Sequence, residues 1–253
     1  MDTTLNWPEL VRHPGARDHM VQVYNDRDFL VDAVAQYIGT GLRAGEAAII
    51  IARPEHRERF IQSLERDGLQ LSPALKVLDA EATLSRFMAD GMPEWTAFHA
   101  LIGGVIAEMR LQYPTVRAYG EMVDILWQRG DKQAAIRLEE FWNEIGRLQT
   151  FSLLCAYAID PLHGDTYAGL ESICRCHTHL IPARDYKELN DAVYQASVKV
   201  LDPLLAQMLL TMALSHRPHT DMPLGQAALI WLQQNMPRTA DRVLGEVRAQ
   251  LSA

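Results

Sequence analysis

The stretch VRAYGEMVDILWQRGDKQAAIRLEEFW, Val116 to Trp142, decides how this chain is built. Thr115 to Tyr119 reads as a short strand that runs through Gly120 directly into the acidic pair Glu121 and Asp124. Two helices follow, with Gly130 placed as the stop of the first and Asp131 as the cap of the second. In the second helix Ala135, Leu138, Trp142, Ile145 and Leu148 recur at three-and-four spacing, which predicts one buried face. Open α/β sheets bind ligands where the carboxyl end of a strand delivers polar residues into a helix start. Arg117, Tyr119, Glu121 and Asp124 are therefore the first candidate site.

Composition narrows the classes around that unit. A length of 253 residues suits one larger domain, or one domain with an appendage. The net charge of −8 weighs against a broad nucleic-acid-binding surface, which needs clustered Lys and Arg. No apolar run reaches the roughly 18 to 20 residues of a membrane span. The opening MDTTLNWPELVRHPGARDH has no apolar signal core, so a cytoplasmic location without membrane insertion is expected. Three cysteines, an odd number in a large chain, fit a reducing compartment better than a disulfide scaffold.

Outward from the central stretch, strands and helices alternate. Residues 1–17 read as a flexible arm. His19–Tyr24 is the first strand, and Asn25-Asp26 caps a helix carrying Phe29, Leu30, Ala33, Val34, Tyr37 and Ile38. Ala47–Ala52 (AAIIIA) has no polar alternation, as expected of a strand buried on both faces. Pro54 starts the next helix; Leu75–Leu78 and Phe151–Tyr157 read as further strands, with helices over Glu81–Ala89 and Pro93–Gln112 between. Strands separated by helices imply parallel pairing and a three-layer α/β/α domain with a mainly parallel sheet. Beyond Asp165 only helical patterns are read, so residues 183–253 are expected to form an all-helical extension after an α/β domain at 18–182.

The segment GTGLRAGEAAIIIARPEH is similar to the region one helix beyond the phosphate loop in RecA-like and circadian-clock-type ATPases. The loop itself is degenerate. Tyr24-Asn25-Asp26-Arg27-Asp28-Phe29 holds neither the glycines nor the lysine that cradle phosphates, and its aspartates repel them. Nucleotide hydrolysis is not expected. The strings His19–Tyr24, Gly41-Leu42-x-x-Gly45-Glu46, Val116–Asp124, Leu138-Glu139-x-x-Trp142-Asn143 and Leu153–Tyr157 resemble the MEDS family, the methanogen/methylotroph DcmR sensory domain. The resemblance covers roughly residues 17 to 182. It implies a RecA-like fold without a working phosphate loop, and a sensory role in bacterial signal transduction. It also implies a small-molecule ligand and a histidine kinase or transcriptional regulator as partner, as in two-component systems.

Each candidate residue has a structural alternative. Arg117 could clamp an anion, or form a buried ion pair with Glu121 or Asp124. Acidic residues in a first helical turn are favoured by the helix dipole alone, so Glu121 and Asp124 need no catalytic role. His19 could report pH or bind ligand; a satisfied structural histidine is the alternative. Tyr24 ends the first strand and could line a pocket. Trp127 is an aromatic wall or a core residue. Together His19, Tyr24, Arg117, Tyr119, Glu121, Asp124 and Trp127 are the expected ligand-binding set, and no catalytic residue is assigned.

The string Cys174-Arg175-Cys176-His177-Thr178-His179 places thiols and imidazoles three apart, good zinc chemistry in principle. It lacks paired C-x-x-C or H-x-x-x-H spacing and falls short of C-x-x-C-H, so a metal ion, haem or redox sensing is an alternative to a cofactor-free protein. Cys155, inside an apolar strand, reads as a buried small hydrophobe. Around His216, Pro218 breaks any helix, which excludes a kinase phosphoacceptor box. Residues 184–253 hold seven basic and seven acidic residues, so no DNA-reading face is expected there. Val198, Leu201, Leu204, Leu205, Met208, Leu209 and Met212 suit packing on the core or on a second subunit, making a homodimer through these helices one expectation. A ligand-free interaction module is the remaining alternative.

Overall fold

The computed structural model describes residues 7–70, 72–160, 162, 169–184 and 186–251. The chain packs as two compact units: Met1–Ala158 with Cys176–Ile181, and Ile159–Arg175 with Pro182–Ala253. This division differs from the contiguous 18–182 and 183–253 expectation, because a short segment after residue 175 returns to the sheet.

The first unit is a three-layer α/β/α domain on a six-stranded sheet, the RecA-like architecture expected from the sequence. Its strands are β1 (His19–Tyr24), β2 (Ala47–Ala52) and β3 (Leu75–Asp79), then β6 (Val116–Gly120), β7 (Ser152–Ala158) and β8 (His179–Ile181). The order is β3-β2-β6-β7-β1-β8, and every neighbouring pair is parallel. β1, β2 and β6 are buried at every position, which is why β2 runs apolar without alternation and why the few polar residues of β1 and β6, among them His19 and Arg117, are enclosed with their partners. The five expected strands all lie in this sheet. β8 was not expected: a three-residue strand is too short to show a period of two, and only its pairing with β1 at Met20↔His179 defines it.

The remaining short strands, β4 (Met88–Ala89) and β5 (Met92–Pro93), form a hairpin turned by Asp90 and Gly91, both at positive φ. They replace the end of the helix expected over Glu81–Ala89, of which only α4 (Ala80–Ser85) forms. The helix expected from Pro93 becomes α5 (Trp95–Phe98), a π-helical turn at His99–Gly103, and α6 (Gly104–Gln112).

The N-terminal residues correct another expectation. α1 (Trp7–Arg12) is no loose arm: Val11 is fully buried, and Trp7 packs edge-on to Phe29 of α2 (Arg27–Arg43). Asp26 caps α2 as expected, accepting from the Asp28 N–H. α3 (Pro54–Arg66) shares that face of the sheet through Phe60 and Leu64. Arg117 reaches across it, with Nε donating to Glu46 Oε2 at 2.5 Å and Nη1 donating to the carbonyls of Val11, Arg12 and Tyr37. A Cβ at Gly41 would lie 2.6 Å from the Arg117 side chain, so α2 needs glycine there to let the guanidinium through.

α7 (Met122–Gln128) and α8 (Lys132–Leu148) lie on the opposite face. Gly130 ends α7 at φ +87°, as expected. Asp131 occupies the cap position of α8 but makes no side-chain cap bond. Ala135, Leu138, Trp142 and Ile145 are buried as their spacing predicts, whereas Leu148 is exposed in the last turn. Glu139 is completely buried on the same stripe.

The second unit holds most of α9 (Leu170–Cys176), then α10 (Tyr186–Leu201), α11 (Pro203–Ser215), α12 (Leu224–Asn235) and α13 (Pro237–Leu251). Pro203 and Pro237 begin helices, where a missing N–H costs nothing. Ala206, Leu209 and Ala213 of α11 are buried. Leu204, Leu205, Met208 and Met212 of the same helix are exposed. No helix among the described residues is long and apolar enough to cross a membrane.

Candidate functional site

Polar side chains gather inside the first unit at two places. At the carboxyl ends of the central strands stand Tyr24, Tyr119, Glu121 and Asp124, four of the seven expected ligand-binding residues. Arg53 and His56, just past β2, join them. Glu121 accepts from the Arg53 N–H at one oxygen, and from His56 Nδ1 (2.7 Å) and Tyr119 OH (3.2 Å) at the other. Asp124 accepts from Arg53 Nη2 at 2.8 Å through one oxygen. Its second oxygen takes the Ala158 N–H and Gln128 Nε2, both at 3.0 Å. Both carboxylates are 1% exposed and all four oxygens have donors. Burial first, then the charges of Asp124 and Glu121, push the Tyr24 hydroxyl pKa up, keeping it a neutral donor.

Arg117 is absent from this cluster. It projects onto the α2 face, and its ion-pair partner is Glu46 rather than Glu121 or Asp124, which corrects the pairing expected from sequence proximity. Arg53 and His56 were missed because their relevance depends on β2 lying beside β6, a juxtaposition that strand order creates.

The other gathering lies nearer the amino ends of β1 and β7, on the α8 face. His19 opens β1, Cys155 lies mid-β7, Glu139 is on α8 and His177 just precedes β8. Hydrogen bonds from the Thr178 N–H to the His19 carbonyl (2.7 Å) and from the His19 N–H to Thr178 Oγ1 (3.0 Å) bring His177 beside His19. The two imidazole rings are 4.1 Å apart. His19 Nε2 is 3.4 Å from Cys155 Sγ and 3.2 Å from Glu139 Oε2. His177 Nε2 is 3.4 Å from Glu139 Oε1, and Cys155 Sγ is 3.5 Å from Glu139 Oε2.

An outer ring of partners holds these four. Tyr157 OH donates to Glu139 Oε1 at 2.7 Å, His19 Nδ1 contacts Asn143 Oδ1 at 3.1 Å, and Asn143 Nδ2 donates to the Cys176 carbonyl at 2.9 Å. Burial alone would raise the Glu139 pKa, but His177 and His19 outweigh it and hold the carboxyl below its usual range. Burial, reinforced by Glu139, pushes the Cys155 thiol up. Trp127, on α7 three residues after Asp124, packs edge-on to Tyr157, 5.7 Å between rings, and so stands between the two clusters.

Of the expected metal candidates, only His177 is in the cluster. Cys176 is half-buried nearby, its thiol pushed up to about 12 by burial and then by Glu139 and Glu140. His179 faces Asp18 at 3.7 Å, and Cys174 is buried in the second unit. The three-residue spacing misled because α9 ends at Cys176. Glu139 had a readable signal: a charged residue on the buried stripe of α8.

His19 also borders an open pocket of about 230 Å³ at this amino edge, lined by Arg17, Asp18, Trp142, Asn143, Arg147 and Phe151 among others. Trp142 Nε1 is a buried N–H with no acceptor among the described residues.

The first unit thus combines a parallel α/β/α scaffold with a buried thiol–imidazole–carboxylate cluster and an adjoining small pocket. The sequence profile of the MEDS family, described as the methanogen/methylotroph, DcmR sensory domain, matches residues 18–178. That is more than half of the chain, and the protein belongs to this family of sensory domains. Neither the curated proteins nor the solved structures contain a significant match.

Proposed function

We propose that the α/β unit binds a small anionic molecule, of the short-chain carboxylate class, in the pocket beside His19. In this reading occupancy is passed to a histidine kinase or transcriptional regulator in the cytoplasm, without catalysis. The pocket carries it: the two positive charges of Arg17 and Arg147 outnumber the single carboxylate of Asp18 in its lining, and the volume of about 230 Å³ suits only a small ligand. Membership of a sensory family supplies the role. A ligand at the carboxyl edge, lined by Tyr24, Glu121 and Asp124, is the weaker reading, because those carboxylates are already filled by internal donors.

The test follows intrinsic tryptophan fluorescence and heat of binding with formate, acetate and glycolate. Saturable binding that weakens in Arg147→Ala supports the pocket. A folded protein that binds none of the three, or whose binding is lost in Tyr24→Phe and kept in Arg147→Ala, refutes it.

The output end of this reading is α11. Its 13 residues include no charged side chain, and Leu204, Leu205, Met208 and Met212 are exposed. An uncharged apolar face is self-complementary, which favours a second copy of the chain about a twofold axis.

A further inference from the structure

We propose that His19, Glu139, Cys155 and His177 bind one divalent transition-metal ion of the zinc class in a closed tetrahedral site. The chemistry of the set is the first reason. Two imidazoles, one thiol and one carboxylate are all ligand types that zinc accepts, and they come from four separate segments of the chain.

Distances supply the second reason. Metal–ligand bonds of about 2.0 to 2.3 Å place tetrahedral ligand atoms about 3.3 to 3.8 Å apart. His19 Nε2, Cys155 Sγ and Glu139 Oε2 stand 3.2, 3.4 and 3.5 Å apart, His177 Nε2 is 3.4 Å from the other Glu139 oxygen, and one ligand atom from each of the four residues lies within 4.8 Å of the rest. Nitrogen–oxygen hydrogen bonds prefer about 2.9 Å, which the carboxyl-edge cluster achieves and this one does not.

The surroundings give a third. The Asn143 amide is oriented by its bond to the Cys176 carbonyl, so its oxygen faces His19 Nδ1 and assigns the ring proton to that nitrogen. In the metal-bound form Nε2 would then present its lone pair on the side of Cys155 and Glu139, the arrangement in which a histidine's outer partner orients it toward a metal. Tyr157 orients the Glu139 carboxylate in the same way. On binding, the Cys155 thiol loses its proton to solvent. One thiolate and one carboxylate then neutralise the dication, and the site is buried without net charge.

With four protein ligands the ion has no open position, so its role is to pin β1, β7, α8 and the approach to β8 together. This site does not rest on the pocket reading; carboxylate binding can fail while metal binding holds.

The test is titration of the full chain with Co²⁺ alone, followed by Zn²⁺. A one-to-one complex with a thiolate-to-cobalt charge-transfer band and intense tetrahedral ligand-field bands, bleached by Zn²⁺, is the expected result. Cys155→Ser should abolish the charge-transfer band and Cys176→Ser should keep it; Asn143→Ala should weaken binding about tenfold to hundredfold. Absence of saturable one-to-one binding in the unmodified chain overturns the proposal, whether or not any variant folds. So does cobalt binding with no thiolate band, or a band that survives in Cys155→Ser.

Discussion

The two buried polar clusters of the α/β unit are made of similar groups and behave as opposites. At the carboxyl edge, Glu121 and Asp124 are matched by Arg53, His56, Tyr119 and backbone N–H groups, several at 2.7 to 3.0 Å, and no acceptor is left over. Around Glu139 only Tyr157 makes a short bond, at 2.7 Å, while His19, His177 and the Cys155 thiol stand 3.2 to 3.5 Å away. A charge network that is complete by itself locks elements together. One that is loosely spaced and rich in soft donors leaves room for an ion. The polar residues nearest a strand's carboxyl end thus turn out to be those with the least left to offer a ligand.

The sharpest way to break this contrast is to open the lock. Asp124→Ala leaves the Arg53 guanidinium only its longer contact to Glu121 and strands the Ala158 N–H, and should cost about 3 kcal/mol in a urea unfolding series. Cobalt binding by the folded variant should be unchanged; its loss would mean the two clusters are one system. Zinc at a hundredfold excess over its dissociation constant should stabilise the unmodified chain by about 2.7 kcal/mol, and a chelator should remove that gain. Calorimetry with and without the metal checks it.

A smaller effect is expected on the α2 face, where Arg117 keeps three carbonyl acceptors when Glu46 is lost. Glu46→Ala should cost roughly 1 to 2 kcal/mol and quicken proteolysis near Arg12, a sign that α1 has loosened. Leu205→Glu with Met208→Glu on α11 should leave unfolding almost untouched while shifting the sedimentation coefficient to that of a single chain.

The least perturbing probe is thiol labelling. Thiolate is the reactive form, and the Cys176 thiol is pushed up to about 12. Its labelling in metal-free protein should be slow at neutral pH and rise about tenfold per pH unit toward that value. Cys155 should stay unlabelled until the protein unfolds, and rapid labelling of native Cys155 would contradict its burial.

Much of the fold was legible because local patterns suffice for it. AAIIIA at β2 and FSLLCAY at β7 can satisfy their backbone and side chains only as interior strands, and the helices between them force parallel pairing. What escaped was short or paired at a distance. β8 is visible only through β1, and the hairpin at Met88–Pro93 interrupts a plausible helical pattern with two positive-φ residues.

The candidate site was half legible for the same reason. His19 and His177 could be named from residue type, yet nothing in Cys155's apolar neighbours marks it as a possible ligand. By itself the sequence determined a RecA-like sensory scaffold without a phosphate loop, since both conclusions depend on contiguous strings. Only the tertiary structure decided that Arg117 answers Glu46, that Arg53 and His56 saturate the carboxyl edge, and that four residues from 19 to 177 share one buried point. Strand order and helix facing bring such groups together across more than a hundred residues, and no local periodicity encodes them.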